Sequence, residues 1–152
     1  MKRDEVLAAV LQSADRFGAD NPQQLAFLRS RLSRCAPAEV FAGLFAVFVE
    51  SAPKELRSQR HELAGRLLDT AEPTKEFDLI ECIRASLPSY DLSVEQLPQY
   101  FARVLGKQVV IDALASVQAT EDLSDGEIAA VRTMRWWLGD PTAGDQGRPL
   151  PP

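Results

Sequence analysis

Apolar residues recur along this chain three and four positions apart, in helix-sized segments each opened by a capping residue or a proline, with no convincing strand between them. Val6, Leu7, Val10, Leu11, Ala14 and Phe17 predict an amphipathic helix over residues 2–17, ended by Gly18. Asn21 then caps a second helix with Pro22 in its first position, where the missing N–H costs nothing, and Leu25, Leu28 and Leu32 form its inner stripe. Pro37 opens a third. There Val40, Phe41, Leu44, Phe45, Val47, Phe48 and Val49 cover nearly the whole circumference, the pattern of a buried helix.

Ser51 and Pro53 start a fourth helix to about residue 70, with Leu56, Leu63, Ala64 and Leu67 inward. Glu72-Pro73 starts a fifth, with Phe77, Ile80, Ile83 and Leu87 inward and Asp78 and Glu81 outward, closed by a turn at Pro88 and Asp91. Ser93 and Gln96 have the spacing of a capping box and open a sixth, stopped by Gly106. The seventh, over residues 107–119, is nearly continuous in Val109, Val110, Ile111, Leu114 and Val117. Its β-branched triplet would suit a short strand, but Ala113 and Ala115 favour a helix. Ser124 and Glu127 form a second capping box before a last helix to Leu138. The expected fold is all-α: about eight helices as four antiparallel hairpins whose first members start near 2, 37, 74 and 107, a solenoid-like spacing. Residues 1–139 make one helical domain in this scheme. Residues 140–152, rich in Gly and Pro, make a flexible tail whose final Arg148-Pro149-Leu150-Pro151-Pro152 matches the R-x-L-P-P pattern of SH3 ligands.

The run Leu97-Pro98-Gln99-Tyr100-Phe101, followed after Gly106 by the Val109-Val110-Ile111 helix, resembles the HEAT-type and armadillo-type helical repeats. The resemblance implies a scaffold that binds protein through a helical surface, and it implies no catalytic residues.

Charge and cysteine content narrow the classes further. The 152 residues carry a net charge of −5, which argues against a polyphosphate or an anionic membrane as the main partner. The charge is uneven: residues 1–66 hold 10 Lys/Arg against 8 Asp/Glu, and residues 67–152 hold 7 against 14. A partner chosen by electrostatics would present positive charge to the acidic half. Cys35 and Cys82 are far apart in sequence and form no metal-spaced cluster, which fits a reducing compartment. The apolar run after Met1-Lys2-Arg3 is too short for export, and no segment reaches the ~18 apolar residues of a membrane span. A cytoplasmic protein is expected.

Side-chain chemistry is sparse. His61 is the only histidine and falls on the flank of its helix's apolar face, a boundary position. Asp122, Ser124 and Gly126 only half-match a calcium loop and are better explained by capping, so neither a metal nor a cofactor is expected. No phosphate-binding glycine loop, nucleophile elbow or dinucleotide fingerprint occurs.

On the last helix Ile128, Val131, Met134 and Leu138 point inward, which leaves Trp136 nearly opposite, between Arg132 and Arg135. Aromatic and Arg side chains dominate binding hot spots. The expected function is therefore non-catalytic protein binding through Asp78, Glu81, Asp91, Glu95, Arg132, Arg135 and Trp136. A specific form is a bacterial immunity or antitoxin-like protein that masks a basic toxin site. Two alternatives stand beside it: a small helical enzyme using helix-borne carboxylates with His61 as base, and a ligand-binding regulator with an apolar pocket lined by Phe41, Phe45, Phe48 and Phe101.

Overall fold

The computed structural model describes residues 1–143, and within them every regular element is helical. Eight α-helices follow one another: α1 (Arg3–Phe17), α2 (Pro22–Leu32), α3 (Pro37–Val49), α4 (Lys54–Leu68), α5 (Leu79–Ser86), α6 (Gln96–Leu105), α7 (Lys107–Thr120) and α8 (Asp125–Trp137). A 3-10 turn, Leu87–Ser89, extends α5. No helix among the described residues is long and apolar enough to cross a membrane. The R-x-L-P-P segment lies outside the described residues.

Residues 1–76 form one compact unit and residues from Phe77 onward a second. In the first, α1 lies mainly on α3 and α4, with a lighter edge against α2. Val6, Val10 and Ala14 of α1, Val40, Leu44 and Phe48 of α3 and Leu63, Ala64 and Leu67 of α4 are all buried in this unit. Each large apolar side chain so enclosed contributes about 1.5–3 kcal/mol relative to exposure. Gly43 lets α1 and α3 close up: a Cβ there would stand 2.5 Å from the Val6 side chain and 2.8 Å from the Arg3 carbonyl oxygen. Arg60 of α4 reaches back to α1 and grips both carboxylate oxygens of Asp15 at 2.8 and 2.7 Å.

In the second unit α7 is the central rod, packed by α5, α6 and α8. Leu97 and Phe101, Val110, Leu114 and Val117, Val131 and Met134, with Ile83, make its core. Gly106, at φ 98, sits between α6 and α7 in a backbone conformation that a side chain resists, so the two helices meet with a single residue between them.

Helix starts follow local chemistry, and two differ from expectation. Asn21 Oδ1 accepts the Gln24 amide and Pro22 occupies the first turn, as the pattern predicts. The Ser124 box forms in both directions. The fifth helix, expected from Glu72-Pro73, begins only at Leu79, because Thr74 Oγ1 takes the Glu76 amide and Asp78 caps the Glu81 amide at 3.2 Å. Ser93 is no cap: its amide and hydroxyl both donate to Asp91 Oδ1, and α6 starts at Gln96 instead. The first members of the expected hairpins thus begin at Arg3, Pro37, Leu79 and Lys107, intervals of 34, 42 and 28 residues. On α7, Val109 is half exposed, because only Val110, Leu114 and Val117 share the inward stripe.

Candidate functional site

Trp136 stands where the helical wheel places it, on the outward face of α8 with 42% of its surface exposed. It is not a loose side chain. Its ring lies 4.7 Å, centroid to centroid, from that of Trp137, and Trp137 Nε1 donates to the Leu92 carbonyl at 3.2 Å. The Gln99 side-chain amide of α6 donates to the Trp137 carbonyl at 2.9 Å, which fixes the C-terminal end of α8 against α6. Trp137 is thereby anchored to the loop that carries Asp91, and the Trp136 ring lies against it. On the helical wheel Trp137 falls only on a flank of α8, and no one-dimensional signal marks its bond to a loop 45 residues earlier.

Asp91 is half-buried and spends one carboxylate oxygen on Ser93; Glu95 is exposed beside the start of α6. Tyr90, next to Asp91, is buried with its hydroxyl donating to the Val94 carbonyl. Burial first, and then the charges of Asp91 and Glu95, push the Tyr90 phenol far above its usual value, so it stays protonated.

Asp78 and Glu81 form a different cluster, at the start of α5. Both are exposed, Asp78 as the helix cap and Glu81 in an ion pair with Arg84 at 2.6 Å; Arg84 also pairs with Glu121. Cys82 lies buried behind them. Its thiol is pushed up to about 12 by burial and by the neighbouring Asp78 and Glu81 charges, so it carries no thiolate at neutral pH.

Arg135 requires a correction: it is buried, not a surface contact. Its Nε donates to Asp140 at 2.7 Å, Nη1 to Gln118 at 3.0 Å and Nη2 to Thr142 at 2.6 Å. Asp140 in turn accepts the Thr142 amide and hydroxyl. Burial alone would raise the Asp140 pKa, but the Arg135 and Thr142 hydrogen bonds outweigh it and hold the carboxyl below the ordinary range. Residues 140–143, the expected start of the tail, therefore make a turn locked onto α8. Arg132 is half-buried, with Nε wholly so.

His61 also departs from expectation. It is fully buried rather than at a boundary, with its ring 5.1 Å from that of Phe48. No group of three or more His, Cys, Asp or Glu side chains with metal-binding geometry occurs among the described residues. The phenylalanines expected to line a pocket pack ring on ring instead: Phe41 stacks on Phe45 at 5.6 Å, while Phe101 belongs to the second unit and lies 5.4 Å from Phe77.

A cavity of about 340 Å³ does exist in the first unit, at a place no hydrophobic pattern marks. Leu32, Val40 and Leu67 form its floor, and Arg29, Ser33, Thr70 and Glu72 stand on its exposed rim. Compared with models of protein families, with curated proteins and with solved structures, the chain matches none.

Proposed function

We propose that this chain is a non-catalytic protein-binding domain, an irregular relative of the HEAT-type helical repeats, whose recognition edge is Trp136 with the adjoining Asp91 and Glu95. One observation carries the proposal: a large exposed aromatic ring held in place by a second tryptophan that is itself bonded to the neighbouring loop. A side chain ordered before binding loses little further entropy when a partner covers it, which is the condition for an aromatic hot spot.

Charge gives the partner its character. Residues 77–152 carry 11 Asp/Glu against 6 Lys/Arg, so the whole net charge of −5 belongs to the unit that bears Trp136. A protein with a basic surface around an apolar notch fits that edge, and an immunity-type role against a basic toxin is one form of this. Asp78 and Glu81 would add long-range attraction from the start of α5. Cys35 and Cys82 are free thiols, in keeping with action in the cytoplasm.

The test is a pull-down from native lysate with the wild-type chain, Trp136→Ala and Asp78→Lys/Glu81→Lys as baits. Expected is a captured protein that the tryptophan variant loses and that the charge-reversed variant retains less well at low salt, the difference from wild type shrinking as salt is raised. Equal capture by all three baits would remove the Trp136 edge from consideration.

A further inference from the structure

We propose that the cavity rimmed by Arg29 and Glu72 is a binding site for a small zwitterion with a branched hydrocarbon body, a molecule of the apolar amino-acid class. The inference concerns the first unit and does not rest on the protein-binding edge. At about 340 Å³ the space lies within the range of about 300–1,000 Å³ typical of small-molecule sites, and its floor is wholly apolar. Leu32 comes from the end of α2, Val40 from α3 and Leu67 from the end of α4, with Pro37 and Ala71 half-exposed on the walls.

The rim sets the chemistry. Arg66, next to the cavity wall, has its charge taken up by Asp20 at 2.6 Å and Glu62 at 2.8 Å. Arg29 has no carboxylate partner among the described residues; one Nη donates to the Arg66 carbonyl at 3.3 Å, which draws the guanidinium to the α4 side of the mouth. Glu72 likewise makes no ion pair among the described residues. Among the described residues, one cation and one anion without an ion-pair partner therefore stand on the rim of one apolar hollow, with Ser33 and Thr70 also on the rim. A carboxylate answers Arg29 in the fork geometry that guanidinium favours, an ammonium answers Glu72, and the hydrocarbon fills the floor. A ligand with only one charge leaves the other rim group unanswered.

Four probes of matched shape separate these contributions: leucine, 4-methylpentanoate, 3-methylbutylamine and the neutral 3-methylbutanol, titrated into the full-length chain and followed by amide chemical shifts. Saturable shifts are expected at Leu32, Val40, Leu67 and Ala71, with leucine binding about five-fold tighter than either singly charged probe, the gain of one rim ion pair. Arg29→Gln should weaken leucine and 4-methylpentanoate and leave 3-methylbutylamine unchanged. Glu72→Gln should weaken leucine and 3-methylbutylamine and leave 4-methylpentanoate unchanged. Both positions are exposed, so neither variant threatens the fold. Absence of saturable shifts at those amides, or equal affinity for leucine and the neutral alcohol, overturns the assignment.

Discussion

Asp140 shows how far a single residue's role depends on what it meets. In sequence it heads a Gly- and Pro-rich stretch; in the structure it closes a buried ion pair with Arg135 that also engages Gln118 and Thr142. Asp140→Asn leaves a buried guanidinium without its counter-charge and should cost about 3 kcal/mol by urea unfolding. The sign of the pH effect follows. Because its folded-state pKa is depressed, Asp140 stabilises the fold above the ordinary carboxylate range, and that contribution fades as pH falls through the lowered value. Acid titration of stability should thus be shallower in the Asn variant; identical acid limbs would contradict the pairing. The thiols give a second check. With Cys82 buried and its thiol raised to about 12, a thiol reagent at pH 8 should modify Cys35 alone until the chain is unfolded.

At the scale of elements, helix existence and inward faces were legible because capping residues and apolar spacing are local properties. Pro22, Pro37 and Ser124 each start a helix as expected. The misplaced starts at α5 and α6 share a cause: Thr74 and Asp91 side chains capture nearby amides, an outcome that competes with capping at the same residue types. Helix-to-helix distance was not legible at all. Gly43 looks unfavourable within a helix, where alanine is ordinarily better by about 1 kcal/mol. Packing reverses that preference, since the added methyl would press on Val6 and on the Arg3 carbonyl. Gly43→Ala should therefore destabilise the first unit by about 2 kcal/mol, measured by thermal or chemical melting. A more stable variant would mean that α1 and α3 do not approach so closely.

For the molecule as a whole, the candidate site was half visible. The period of α8 puts Trp136 outward, but the same wheel makes Arg135 a plausible neighbour on the surface, and only the turn at 140–143 reveals why it is buried. The wheel puts His61 at a boundary because it reports direction and not depth; in the structure α4 is covered deeply enough to enclose it. The Arg29–Glu72 cavity joins residues of α2, α3 and α4 with the segments that follow α2 and α4, which no periodicity connects. Net charge was fully legible, and its confinement to residues 77–152 makes the proposed interaction salt-sensitive: raising ionic strength should slow association with a basic partner more than it hastens dissociation. The most direct measurement is calorimetric titration of the purified captured partner against the wild-type chain and Trp136→Ala, with equal melting temperatures as the control for folding. The truncation should weaken affinity by at least about 2 kcal/mol, some thirty-fold; an unchanged dissociation constant would rule out Trp136 as the anchor of recognition.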